Sequence, residues 1–130
     1  MNLHEKAAQV FTREKLDALF PPDRSDDFFD ALYGDAAEGA YDIRLVFQAA
    51  ESTTLRFAFE LHQRPGKCLA CNLTYGLPQV FARHPLINLK GLAEDLGGLV
   101  GWKAEELNFQ LGKTEEQSPE LHVIPLRIQH

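Results

Sequence analysis

Cys68-Leu69-Ala70-Cys71 is the one spacing in this sequence that could do recognisable chemistry. A C-x-x-C pair serves metal binding when a tight turn aims both thiolates at one ion. It serves redox chemistry when the two sulfurs close a small disulfide ring. His62 and His84 flank the pair and complete an H-x5-C-x2-C-x12-H set. Nitrogen and sulfur donors of this kind suit tetrahedral zinc. Two features oppose the metal reading. Residues three apart on a regular strand point to opposite faces, and no Gly or Pro within or just after the pair builds a knuckle. A thioredoxin-like pair precedes a helix, whereas Asn72 to Tyr75 reads as strand. The third reading is two small buried apolar side chains, the common behaviour of free cysteine.

A second candidate is the irregular stretch from Tyr75 to Pro85, because loops carry function more often than cores do. Its side chains for a ligand or partner surface are Tyr75, Arg83 and His84. An enzyme using this loop would need a concave apolar pocket beside it. There is no G-x-S-x-G, P-loop, G-x-G-x-x-G or H-E-x-x-H pattern. The adjacent carboxylates (Asp26/Asp27, Glu94/Asp95, Glu105/Glu106, Glu115/Glu116) diverge on a helix or strand and read as solvated pairs. Trp102 follows Gly101 where a helix gives way to a strand and reads as a core plug. His4 and His130 are expected to be mobile, and the role of His122 depends on whether its strand face is covered.

Charge is unevenly distributed. Residues 14–42 hold nine carboxylates against Lys15 and Arg24, whereas residues 51–90 hold five basic residues against Glu51 and Glu60. The acidic stretch is either a solvated helix face or a docking face for a basic protein partner, with Asp26, Asp27 and Asp30 at its centre. Net charge over the 130 residues is -6, opposite to the balance of a nucleic-acid-binding domain. Phe57 and Phe59 alternate with Arg56, so they face the core and form no stacking platform for bases. No apolar run approaches the roughly 20 residues of a membrane helix. No basic-then-apolar leader opens the sequence. Two cysteines set no disulfide framework, and the expected compartment is cytoplasmic.

These residues must be held by elements that periodicity locates. Leu3, Ala7, Val10 and Phe11, then Leu16, Leu19 and Phe20, recur at helical spacing, with Thr12 as an N-cap and Pro21-Pro22 as a stop. Ser25 is expected to cap a short helix carrying Phe28, Phe29, Leu32 and Tyr33, ended by Gly34. Alternation over 41–48 and 54–61 predicts two strands joined by a loop at 49–53, and a third strand is expected over 68–75. The stretch from Gly76 to Pro85 reads as loop. Leu89, Leu92, Ala93, Leu96, Leu99 and Val100 predict a helix capped by Asn88 and weakened by Gly91, Gly97 and Gly98. Two strands, around Leu107–Leu111 and Ile124–Ile128, follow, separated by a polar link over 112–120. Pro125 predicts that the last strand is an edge or is bulged.

The order α-α-β-β-β-α-β-β predicts an α+β, two-layer fold: an antiparallel sheet of about five strands with helices packed on one face. Residues 1–130 are expected to form one domain, with an acidic helical part over about 3–34 and a sheet-and-helix part over about 40–129. In element order, size and charge the chain is similar to the small acidic secretion chaperones of the type III class. That likeness implies a dimer that binds an unfolded segment of a partner, and it carries no individual residues over. The expected function is a noncatalytic protein-interaction or assembly module, with a homodimer as a further expectation. The alternatives are a zinc or small-ligand domain centred on Cys68 and Cys71, and an enzyme using the 75–85 loop. No cofactor other than zinc is expected.

Overall fold

A computed structural model describes residues 3–21, 23–33, 41–67, 77–85 and 87–130. Three helices come first: α1 (Leu3–Val10), α2 (Arg13–Leu19) and α3 (Arg24–Tyr33). The long strands β1 (Tyr41–Glu51) and β2 (Thr54–Gln63) follow, then α4 (Leu77–Arg83) and α5 (Leu89–Leu99). A 3-10 turn (Ala104–Glu106) leads to β3 (Asn108–Leu111), β4 (Glu115–Ser118) and β5 (Leu121–Gln129). All pairings in the five-stranded sheet are antiparallel, in the order β1-β2-β5-β3, with β4 also on β5. The fold is thus α+β, with N-terminal helices on a five-stranded antiparallel sheet. The expected third strand over 68–75 lies outside the described residues.

One face of the sheet is apolar because alternation puts Ile43 and Leu45, Leu55, Phe57, Phe59 and Leu61, and Ile124, Leu126 and Ile128 on the same side. The helices cover that face through a chain of rings. Phe11 meets Phe57 at 4.9 Å, Phe20 meets Phe59 at 5.4 Å, and Phe81 bridges Phe59 and Phe28 at 5.5 Å each. All four contacts are edge-to-face, the geometry that the ring quadrupole favours. His122 lies on this covered face opposite Leu61 and is 1% exposed, which answers the question its position posed. The other face carries Asp42, Arg44, Glu60, His62, Arg56 and Arg127 and is open to solvent to varying degrees.

Several expectations are corrected. Residues 77–83 are helix, not loop. Pro78 sits in the first turn, where a missing N–H costs nothing, and Phe81 reaches the core. The polar link over 112–120 contains β4, a strand whose residues are exposed or half-buried and whose order comes from pairing with β5. The hairpin loop is shorter than 49–53: pairing runs to Glu51 opposite Thr54 and leaves Ser52-Thr53 as the turn. A bulge between Phe47 and Ala49 shifts the phase, so Ala50 is buried. Strand β5 is not an edge, for it pairs with β2 and with β3 and β4. Its Pro125 C=O accepts from Gly112 N–H at 2.8 Å, so the missing N–H faces the break between β3 and β4 and spares the β2 ladder.

Ser25 does not cap α3. It lies inside the helix, fully buried, and its hydroxyl accepts from Ile43 N–H at 2.7 Å. Arg13 donates to the Leu45 carbonyl, and His4 Nδ1 accepts from Ala50 N–H at 3.4 Å. Three side chains from the helices thus occupy backbone groups of β1 that face away from β2, β1 being the outer strand on that side among the described residues. Neither terminal histidine is loose: His130 stacks on half-buried Trp102 with ring centroids 4.3 Å apart. Thr12 caps α2 through Lys15 N–H, and Asn88 caps α5 through Gly91 N–H, as their positions predict.

Candidate functional site: an acidic groove at the β1 edge

Where α2 and α3 meet β1, the structure leaves a groove of about 540 Å³ lined by Asp17, Asp23, Asp26, Asp42, Arg44 and His62. Asp17 comes from α2, Asp23 from the turn into α3, and Asp26 from the first turn of α3. Strand alternation supplies Asp42 and Arg44 from the open face of β1, because Tyr41, Ile43 and Leu45 are turned inward. His62 stands opposite Asp42 on β2.

Arginines answer these carboxylates in part. Arg13 pairs with Asp17 at 2.7 Å, one helical turn away. Arg64, just beyond β2, reaches Asp26 at 2.7 Å and Asp42 at 2.9 Å with the same nitrogen, so one guanidinium serves two carboxylates. Its plane also lies over the Phe29 ring at 5.3 Å, and its side chain is only 15% exposed. Both aspartates are 58% exposed, so these pairs fix geometry more than they add stability. Arg44 lies opposite Glu60, and His62 Nε2 lies 3.0 Å from Glu60 Oε1. Among the described residues Asp23 has no basic partner, and the groove keeps an acidic surplus.

The sequence-predicted residues fall in different places. Cys68, Cys71 and Tyr75 lie outside the described residues. His62 projects from the open face of β2. His84 follows α4 in the helical layer, half-buried, its ring 5.0 Å from that of Phe28. The two histidines therefore lie on opposite sides of the sheet. No group of three or more metal-ligating side chains gathers among the described residues. Arg83 is exposed in the last turn of α4. Of the three predicted α3 carboxylates, Asp26 enters the groove, while Asp27 and Asp30 are exposed on α3 and do not line it.

Sequence reading missed Asp17, Asp23, Asp42 and Arg64 as a group. The acidic stretch over 14–42 was visible as charge, but the clustering depends on Arg64 returning to α3 from 38 positions away. No helix among the described residues is long and apolar enough to cross a membrane. Compared with family models, curated proteins and solved structures, the chain matches none.

Proposed function

We propose that this protein is a noncatalytic interaction module that seats a basic, extended segment of a partner protein in the groove at the β1 edge. The observation that carries this reading is the cluster Asp17, Asp23, Asp26 and Asp42 around one groove of about 540 Å³. Arg13 and Arg64 pair with three of these carboxylates, and Arg44 also lines the groove, so the surplus rests on Asp23. A lysine or arginine side chain entering the groove gains charge-assisted hydrogen bonds to carboxylates already turned toward it. Ser25, Arg13 and His4 already occupy backbone groups of Ile43, Leu45 and Ala50, which disfavours strand addition at the same place and favours recognition through side chains. Such an interface gains encounter rate and selectivity from its field and is sensitive to salt.

The test is fluorescence anisotropy with a labelled oligoarginine peptide at low ionic strength. The double variant Asp23→Lys/Asp26→Lys is expected to weaken binding by roughly tenfold or more, as fits close charge pairs. The double variant Asp27→Lys/Asp30→Lys changes net charge equally on α3, outside the groove, and is expected to have a much smaller effect. Equal losses in the two variants would reduce the interaction to nonspecific attraction and overturn the proposal.

A further inference from the structure

The open face of the sheet carries its charges in cross-strand rows. Arg44 stands opposite Glu60, a complementary pairing, and Asp42 stands opposite His62. One row breaks this pattern: Arg56 on β2 stands directly opposite Arg127 on β5. Like charges facing each other across a ladder are unfavourable, and among the described residues little relieves the repulsion. Arg127 donates to the amide oxygen of Gln110 at 2.9 Å, a neutral acceptor, one strand further out on β3. Arg56 has Glu51 at 4.0 Å, with both side chains largely exposed.

The same row opens onto a cavity of about 200 Å³ lined by Gln48, Arg56, Gln110, Gly112, Pro125 and Arg127. Its origin is local. The neighbouring row holds Ala58 opposite Pro125, with Gly112 bonded to Pro125, so small side chains leave a depression beside the arginines. The β1 bulge falls at Gln48, placing a further amide on the rim. The cavity is smaller than the roughly 300–1,000 Å³ of sites for drug-sized ligands. It matches an anionic headgroup better than a whole bound cofactor.

We propose that Arg56 and Arg127 form a binding site for a small phosphate-type oxyanion, with Gln110 holding the Arg127 guanidinium in place and Gln48 at the rim. Two planar guanidinium forks on adjacent strands present paired donors to one tetrahedral anion, the geometry in which arginine excels. The bound anion replaces the repulsion between the two arginines with attraction to both. Glu51 competes with the anion for Arg56. The shared chemistry is a phosphate dianion, either free or as a small phosphomonoester.

The test follows the arginine Nε–H resonances and the melting temperature during titration with inorganic phosphate, with sodium chloride at matched ionic strength as the control. Glycerol phosphate forms a parallel arm. Saturable shifts at Arg56 and Arg127 are expected, with a phosphate-specific rise in melting temperature. Tighter binding of glycerol phosphate assigns the site to a phosphomonoester, and equal binding assigns it to the free ion. Arg56→Gln and Arg127→Gln are each expected to weaken binding by roughly tenfold or more, as fits loss of a charge-assisted donor pair. Both are expected to melt higher than the parent in chloride, because the repulsion is gone. Glu51→Gln is expected to bind more tightly. Identical responses to phosphate and chloride, or phosphate shifts undiminished in both arginine variants, would overturn the proposal.

Discussion

The hydroxyl of Ser25, fully buried in α3, accepts the Ile43 backbone N–H of β1 at 2.7 Å, and the Ile43 carbonyl lies 3.5 Å from the same oxygen. A helix side chain thus does for an outer strand what a neighbouring strand would do. Removing it in Ser25→Ala leaves a buried backbone donor unsatisfied, which costs about 1–3 kcal/mol. Urea denaturation is the measurement, with Ser118→Ala as reference, since the hydroxyl of half-buried Ser118 bonds locally to Glu120, two positions on. The reference variant is expected within about 0.5 kcal/mol of the parent. Equal effects at the two sites would show that the Ser25 bond contributes nothing special.

Phe59 carries the junction between layers. Its ring touches Phe20 of the α2 end and Phe81 of α4, and it is fully buried. Phe59→Ala is expected to cost about 3–5 kcal/mol through lost burial and the cavity left behind. Phe109 on β3 is 37% exposed, and Phe109→Ala is expected to cost far less. Thermal melts of the two variants check the contrast. Comparable losses would mean that the Phe20–Phe59–Phe81 chain is not the centre of the core.

Adjacent glycines in α5 are expected to respond differently to the same change. At Gly98 an added methyl group meets nothing within 4 Å, so Gly98→Ala gains the helix preference of alanine, about 0.5–1 kcal/mol. At Gly97 the same methyl would stand 2.8 Å from Leu107 Cδ1, and that side chain must turn aside. Gly97→Ala is therefore expected to be the less stable of the two variants by chemical denaturation. The reverse order would refute the packing of Leu107 against α5.

Amphipathic segments were legible in advance. Alternation located β1 and β2, and the leucine stripe located α5, because each buries one face and its apolar residues repeat at the period of the element. What was illegible depends on partners. The four residues of β4, Glu115–Ser118, have no apolar face, and only β5 makes them a strand. Pro78 looked like a breaker because its position in the first turn of α4 could not be known beforehand. Ser25 has the composition of a cap, yet tertiary contact with Ile43 claims its hydroxyl. The acidic groove was half legible: its carboxylates stood out as a charged stretch, but Arg64 joins Asp26 and Asp42 only in three dimensions.

The pairing of β2 with β5 sets an order of events during synthesis. Phe59 and Ile124 face each other although they are 65 positions apart. At roughly 5–20 residues per second, a ribosome needs roughly 3–13 s to deliver the second after the first. The β1–β2 hairpin emerges with one flank already guarded, since His4, Arg13 and Ser25 all precede it in the chain. Its β2 flank stays open throughout that interval, with Leu55, Phe57, Phe59 and Leu61 beside it awaiting Ile124, Leu126 and Ile128. The nascent chain therefore waits for β5 along its β2 flank and for α4 and α5 over its apolar face, and slow translation between residues 64 and 120 prolongs that exposure.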